Sequence, residues 1–278
     1  MQSRKTGSAH WSEASIWKAV GPLSGLLALS WIYLPILWLI VMSVSAEPLS
    51  GFPGPFTSRH YAELFVQSGW VAPLMHSFWL AFAVALVSMI CATMIGRAVP
   101  RLRRGGLPIT AVVLLPLMVP GVVIGTAMFL YLRVFLGFKL GLWSLFAGHF
   151  VWAFPFSLLA VLVVSFRFDT RLLDAAADLG SGPWERFWRI EVPLLKDGII
   201  AGGLFAFLLS FNEIARSIYL KGKVETLPVY LWQQASSHSS TVPLIFPLNV
   251  IILLASAVLV GVAFWLLFHG ARHQESQR

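Results

Sequence analysis

Few residues in this sequence are of the types that carry catalysis, and their spacing assembles no catalytic or metal-binding set. The seven histidines are scattered along the chain and form no metal-binding cluster with Cys91, which is the only cysteine and so excludes an internal disulfide. Neither a His-Glu-x-x-His helix nor a Gly-x-x-x-x-Gly-Lys-Ser/Thr phosphate loop is present in the sequence. We therefore expect no catalytic residue, no metal and no cofactor in this chain.

One acidic residue stands beside an apolar stretch rather than in a polar loop. Glu213 lies 19 residues beyond Leu194, which is about 29 Å along a straight helix. An acid at the centre of a membrane helix costs roughly 2.5–3.5 kcal/mol on insertion scales, so its presence calls for a reason. In one interpretation, Asn212 and Glu213 line the outer mouth of a translocation path and favour a cationic solute. In the other, Glu213 pairs with Arg216, which follows it at i+3.

The composition indicates what kind of element must position these residues. Hydrophobic residues make up 58% of the 278 residues and charged residues only 12%, whereas a soluble domain carries roughly 25% charged residues. The mean hydropathy of +0.78 leaves too little polar surface to cover a water-soluble particle. These values exclude an ordinary soluble enzyme, a disordered chain and a fibrous protein, and they indicate an integral membrane protein.

Six apolar stretches are long enough to cross a bilayer as helices, which takes about 20 residues. The fifth is interrupted early by Lys196 and Asp197. We expect an all-α membrane protein with six transmembrane helices in one domain over residues 1–278. The stretches are the run between Lys18 and Glu47, and residues 73–96, 107–132, 142–166, 194–211 and 242–268.

The basic residues predict the orientation of these helices. With six spans, both termini lie on one side. Fourteen of the 20 Lys and Arg residues then fall on that side and six on the other, so the positive-inside rule places the tails 1–18 and 269–278 and the loop 167–193 in the cytoplasm. The net charge of +8 is therefore explained without a nucleic-acid partner.

Val44-Ser45-Ala46 resembles a signal-peptide cleavage site. About 28 uncharged residues precede it, far more than the apolar region of a signal peptide needs, so we expect an uncleaved helix.

Prolines mark the third stretch as irregular. Pro116 and Pro120 each remove a hydrogen-bond donor and predict a kink. The Gly121-Val-Val-Ile-Gly125 pattern permits close helix contact. The helix either bends during a transport cycle or packs tightly against a neighbour.

The loop 167–193 is too long and too regular to be a simple turn. Thr170 is a predicted N-cap, and Gly180 is a natural left-handed stop after a short helix with an alanine face. Pro183 then opens a second helix, and Pro193 is predicted to end it.

This loop resembles the EAA loop of permease subunits of binding-protein-dependent ABC importers. That pattern is Glu-Ala-Ala, three residues, Gly, nine residues, Ile, one residue, Leu, Pro. The departures here are Asp for Glu and Val for Leu, and the spacing is kept throughout. The resemblance implies the type I importer permease fold and a coupling helix that docks on a cytoplasmic ATPase, which binds the ATP and Mg. The matching residues are Asp174, Ala175, Ala176, Gly180, Ile190, Val192 and Pro193.

The residues from 210 to 228 narrow the resemblance to the second permease subunit of the spermidine/putrescine type. This resemblance implies three partners: an ATPase dimer, a second and different permease chain, and an extracytoplasmic solute-binding protein that docks near residues 47–72 and 216–241. It also implies that the chain lies in the lipid of a bacterial inner membrane. The solute would be small and polar, such as a polyamine. The basic residues Arg216, Lys221 and Lys223 would equally suit an anionic solute or an acidic lobe of the binding protein.

Other classes of membrane protein remain as alternatives. A secondary transporter or channel, working without an ATPase, would need its own coupling residues, such as buried acids or histidine relays in several spans. A membrane-embedded enzyme would need a catalytic set, which the sequence lacks.

Overall fold

The computed structural model describes residues 13–102, 105–237 and 241–275, with side chains between residues 20 and 262, and this part of the chain is helical without a β-sheet. Short 3-10 turns cover Ser68–Trp70, Val99–Arg101, Leu115–Met118 and Val242–Leu244, and π turns cover Leu130–Phe135 and Phe187–Glu191. The α-helices are α1 (Glu13–Ser43), α2 (Arg59–Val66), α3 (Val71–Ala98), α4 (Gly106–Leu114), α5 (Gly121–Phe129), α6 (Leu142–Ser165), α7 (Arg171–Asp178), α8 (Pro183–Arg186), α9 (Val192–Phe211), α10 (Ser217–Leu220), α11 (Leu227–Ser236) and α12 (Ile245–Glu275).

Within the described residues, five continuous helices are long and apolar enough to cross a membrane. A broken pair of helices, Gly106–Met118 and Gly121–Phe135, is also apolar and long enough when taken together, and its halves are bent by 94°. The six predicted spans are therefore present when this pair is counted as one. The continuous helices are Val20–Ser43, Ser68–Arg101, Leu142–Ser165, Pro183–Phe211 and Val242–Val262.

The chain divides into two compact units, of which the first lies within Met1–Val66 and Ser240–Ala255. In this unit, most apolar side chains of α1 are exposed, as is usual for a helix whose solvent is lipid. The hydroxyls of Ser43 and Tyr61 are 2.8 Å apart and join the end of α1 to α2. Nε2 of His60 lies 3.2 Å from the carbonyl oxygen of Ala46, which holds the loop between them.

The second unit lies within Gln67–Ser239 and Ser256–Arg278 and is built on α3, α6 and α9. Glycines let these three helices approach closely. A Cβ on Gly202 would lie 2.8 Å from Oγ of Ser157, and one on Gly198 would lie 2.9 Å from the carbonyl oxygen of Ala160. Because lipid tails are as apolar as the side chains, close van der Waals contact of this kind drives helix association in a membrane.

The third span is broken rather than kinked. Pro116 lies in the 3-10 turn that ends the first half, and Val119 and Pro120 are extended, with ψ angles of 129° and 136°. The second half starts at Gly121. Two prolines four residues apart remove two backbone donors from adjacent turns, so a continuous helix would lose both bonds. The chain turns instead and restarts.

The prediction that Pro193 ends the second helix of the loop 167–193 is wrong. The chain is helical without interruption from Pro183 to Phe211, so the fifth span begins well before residue 194. The N–H of Val192 donates to the carbonyl of Phe187, five residues earlier, in a π turn. Such a turn accommodates an extra residue and opens the helix, which relieves the contact between a proline ring and the preceding turn.

Replacing Gly202 with alanine should destabilise the second unit. The added Cβ would lie 2.8 Å and 2.9 Å from the hydroxyl and carbonyl oxygens of Ser157, and the backbone oxygen cannot rotate away. We expect a loss of about 1–3 kcal/mol, measured as a lower midpoint of denaturant unfolding in detergent micelles. Gly25→Ala is the matched control, because no heavy atom lies within 4 Å of its Cβ position. Equal stability of the two variants would contradict this packing.

Candidate functional site

The helix α7 in the loop 167–193 ends in a complete Schellman motif. Gly180 has φ of +87°, and its N–H donates to the carbonyl of Ala177, while the N–H of Ser181 donates to that of Ala176, both at 2.9 Å. Glycine is needed because an L side chain is strained at this φ angle. The predicted left-handed stop at Gly180 is therefore present.

The start of α7 differs from the prediction in its cap. Thr170 occupies the N-cap position, but its side chain makes no capping hydrogen bond. The carboxylate of Asp169 accepts a hydrogen bond from the N–H of Arg171 at 3.0 Å instead. The reason is the helical backbone at Thr170, with φ of −66° and ψ of −20°, because a capping hydroxyl normally requires extended backbone angles.

The loop 167–193 presents a small and largely apolar surface. Asp174, Ala175 and Gly180 are exposed, Ala176 is half-buried, and Leu179 has 88% of its surface exposed. Ile190 is half-buried and Pro193 is exposed. The structure therefore holds the residues of the EAA-like pattern together in one segment, with the short side chains of α7 available for close contact with another surface.

A buried acid, which the sequence analysis did not single out, ties this segment to α3. Glu191 is only 3% exposed, and its carboxylate accepts hydrogen bonds from Nε and Nη2 of Arg97 at 2.5 and 2.8 Å. Arg101 approaches the same carboxylate at 3.3 Å. The guanidinium of Arg97 also lies 4.7 Å from the ring centre of Phe187, itself buried. We call these residues the Glu191 clamp.

The sequence carried one signal for the clamp. Arg97 and Arg101 stand four residues apart at the end of one span, and Glu191 lies two residues before Pro193 in the loop. Residues four apart share a helix face, so one carboxylate can reach both guanidinium groups. The sequence did not show which of the nearby acids would be buried.

A second site lies at the other end of α9, where a cavity of about 760 Å³ opens beside the broken span. Asn212 and Glu213 line it together with Pro120, whereas Pro116 lies in the turn that precedes it. The other lining residues come from α6, α9, the segment between α9 and α10, and the residues around the break: Leu117, Met118, Val119, Gly121, Trp152, Phe205, Leu208, Leu209, Ile214, Ala215 and Arg216.

Glu213 and Arg216 form an ion pair inside this wall. One carboxylate oxygen accepts from the backbone N–H of Arg216 at 2.9 Å and the other from Nη1 at 2.8 Å. Both side chains are buried, at 6% and 2% exposure. The two interpretations of Glu213 are thus not exclusive, because the residue pairs with Arg216 and also lines a cavity.

Arg216 has further neighbours that fix its position. Its guanidinium carbon lies 4.5 Å from the ring centre of Trp152, a cation–π arrangement. A Cβ on Gly121 would lie 2.9 Å from Nη1, so the guanidinium rests against the first residue of α5. Within the described part of the chain, Nε and Nη2 of Arg216 are buried without a hydrogen-bond partner.

A buried histidine links this wall to α6. His149 has Nδ1 2.9 Å from the hydroxyl of Ser210 and Nε2 2.8 Å from that of Ser217. Because Ser217 donates to the carbonyl of Glu213, its oxygen is free to accept from Nε2–H, and Nδ1 then accepts from Ser210. The sequence showed His149 as an isolated histidine and gave no sign of this network.

A basic cavity lies near the ends of α5 and α10. It measures about 670 Å³ and is lined by four cationic residues, Arg133, Lys139, Lys221 and Lys223. Across the described residues, no group of three or more His, Cys, Asp or Glu side chains comes together in a way that could hold a metal ion.

Comparisons with known proteins point to one family. Residues 89–269 match the model of the binding-protein-dependent transport system inner membrane component. The chain is 28% identical to the spermidine/putrescine transport system permease protein PotC of Escherichia coli strain K12, covering 83% of this chain and 87% of the relative. It is 28% identical to the putrescine transport system permease protein PotI of the same strain, covering 90% of each.

A relative named for another solute also matches. The putative 2-aminoethylphosphonate transport system permease protein PhnV of Salmonella paratyphi A is 26% identical, covering 77% of this chain and 82% of the relative.

Replacing Glu191 with glutamine should destabilise the folded chain strongly. The change leaves Arg97 partly buried without its counter-charge, and breaking a buried pair costs about 3–5 kcal/mol. Glu185→Gln is the matched control, since Glu185 pairs with Arg189 on the exposed surface of the same segment and should cost at most about 1 kcal/mol. Denaturant unfolding in micelles measures both, and equal losses would contradict the structural role of the clamp.

Proposed function

Because the chain belongs to the family of binding-protein-dependent transport system inner membrane components, we propose that it works with a separate ATPase that drives import. Members of this family are multi-pass inner-membrane proteins with the type I permease fold, and the family is one of transport rather than catalysis. The chain is a transmembrane subunit of an ABC importer. The observation that carries the ATPase proposal is the exposed α7 segment ending at Gly180.

The docking surface for the ATPase is the small-residue face of α7. An exposed apolar surface beside charged residues is typical of an interaction site. Leu179 and Trp184 expose 88% and 73% of their surfaces at this place, and the short, exposed side chain of Ala175 allows close approach. The ATPase, rather than this chain, binds ATP and Mg. The basic excess on the same side supports a cytoplasmic position for the segment and for both termini.

The Glu191 clamp and α9 connect this surface to the cavity. Glu191 is fixed to α3 by Arg97, and Glu213 stands 22 residues later, which is about 33 Å along a helix. A displacement of the loop 167–193 by the closing ATPase is therefore passed along a continuous helix to the wall of the cavity. Nucleotide binding acts through its different affinity for the inward-open and outward-open states.

The importer needs further subunits. We include an ATPase dimer, a second permease chain of different sequence that completes the translocation path, and an extracytoplasmic solute-binding protein. The family description names dependence on such a binding protein. The cavity with Arg133, Lys139, Lys221 and Lys223 suits an acidic lobe of that protein. The segments 47–72 and 216–241 would each contact it.

The solute is a small polar molecule that carries an amine, such as a polyamine. Two of the relatives are named for spermidine or putrescine, and another for 2-aminoethylphosphonate. The cavity that Asn212 and Glu213 line, at about 760 Å³, is large enough for solutes of this size and belongs to the translocation path.

Substituting Gly180 tests ATPase docking without knowledge of the solute. No heavy atom lies within 4 Å of its Cβ position, so any effect comes from the backbone. Valine is strained at a φ of +87°, by about 1–3 kcal/mol, and would redirect the chain after α7. We expect Gly180→Val to insert normally in the membrane but to retain at least about tenfold less P-loop ATPase when purified in mild detergent.

Gly180→Asn is the control, because asparagine tolerates left-handed angles, and it should retain near-normal amounts of the ATPase. Equal recovery of the ATPase with the valine and asparagine variants would contradict docking at α7. Absence of any ATPase from the unchanged chain would contradict the proposed function.

A further inference from the structure

We propose that the cavity beside the broken span binds an oxyanion of the transported solute, a carboxylate or a phosphonate, through Arg216 and the N-terminus of α5. This inference rests on the proposed function and narrows its solute class: among small polar solutes with an amine, it selects those that also carry an anionic group and excludes the polyamines.

The acid in the cavity wall is already neutralised. Both carboxylate oxygens of Glu213 accept hydrogen bonds from Arg216, one from the backbone and one from the guanidinium. A cationic solute would have to compete with a buried guanidinium that is held in place at 2.8 Å. The pair has no net charge, so the cavity does not present the free carboxylate that a solute with amines alone would require.

The guanidinium, in contrast, has unused hydrogen-bonding capacity. Among the described residues, its Nε and Nη2 have no acceptor although both are buried. A buried donor without a partner loses its hydrogen bond to water, and this loss is larger when the group is charged. Arg216 lines the cavity. Because Nε and Nη2 are buried, they reach an oxyanion only when the side chain turns towards the cavity, and the fork of the guanidinium then matches the planar or tetrahedral oxygens of the anion.

The N-terminus of α5 adds to the same positive region. α5 starts at Gly121, directly after the extended Pro120, and both residues line the cavity. The first N–H groups of a helix have no partner within it, and the helix dipole favours an anion there. The close approach of Arg216 to Gly121 depends on the absence of a side chain, since a Cβ would lie 2.9 Å from Nη1.

Two positive groups, the guanidinium of Arg216 and the N-terminus of α5, therefore lie side by side in the cavity wall, and the carboxylate of Glu213 pairs with the first of them. Glu213 compensates the charge of Arg216, and the positive end of α5 remains. An anion bound between Arg216 and the N-terminus of α5 offsets the remaining positive charge of that helix end. It also accepts hydrogen bonds from Nε and Nη2 of Arg216. The amine of the solute has a neutral acceptor nearby, the amide oxygen of Asn212, because the Nδ2–H of Asn212 donates to the carbonyl of Leu208 and leaves that oxygen free of this bond.

The test is solute binding to the purified importer complex in lipid nanodiscs, without the binding protein, by isothermal titration calorimetry. The probes are 2-aminoethylphosphonate, β-alanine and putrescine. We expect at least one of the two amino-oxyanions to bind, with putrescine failing to compete. The variant that carries Glu213→Gln and Arg216→Gln together removes both charges, so it leaves no unpaired buried ion, and its affinity should fall at least about tenfold.

Two further variants separate the site from general effects. Gly121→Ala displaces the guanidinium and should also weaken binding. Neutralising the exposed pair Glu185 and Arg189 in the same way is the matched control and should leave affinity unchanged. Thermal unfolding and the ATPase activity of each complex verify assembly, and loss of the ATPase would count against the proposed function rather than against the site.

The proposal is overturned by binding of putrescine alone, by unchanged affinity in the double variant, or by failure of both amino-oxyanions to bind the unchanged complex.

Discussion

A charge buried inside a protein must be paired, and among the residues whose side chains the structure describes, the two buried acids lie at opposite ends of one helix. Glu191 precedes α9 and is bound by Arg97, and Glu213 follows α9 and is bound by Arg216. Each pair pays a desolvation cost that is offset only when its geometry is kept. The positions of the loop 167–193 and of the cavity wall are therefore fixed by the same helix and by two ion pairs.

The packing of α9 makes this arrangement rigid. Gly198 and Gly202 bring its backbone against α6 at distances that leave no room for a methyl group. A helix held this closely on one side moves as a unit with its neighbours and not by local bending. The broken third span has the opposite character. Its halves meet at Val119 and Pro120, where the backbone is extended, and both residues line the cavity.

Much of this fold could be predicted from the sequence, because apolar length, proline and glycine act locally. The six spans, the irregular third span and the stop at Gly180 follow from such signals. The errors arose where a second local arrangement was available that the preference of one residue does not reveal. Pro193 lies inside a helix because a π turn precedes it, and Thr170 is displaced as a cap by Asp169. The Glu191 clamp joins residues 94 positions apart, and the His149 network joins residues more than 60 positions apart. A single sequence does not reveal such long-range pairs.

The central claim is that the face of α7 contacts an ATPase. It is tested most directly by cross-linking from a single cysteine placed at Ala175, in a chain whose only native cysteine, Cys91, is replaced by serine. The control is a single cysteine placed at Lys139, which lines the basic cavity. In membranes containing the whole importer, a short thiol-to-amine cross-linker should join the P-loop ATPase to position 175 and not to position 139, with a yield that changes when ATP is added. A P-loop ATPase that cross-links equally to both positions, or to neither, would contradict the account.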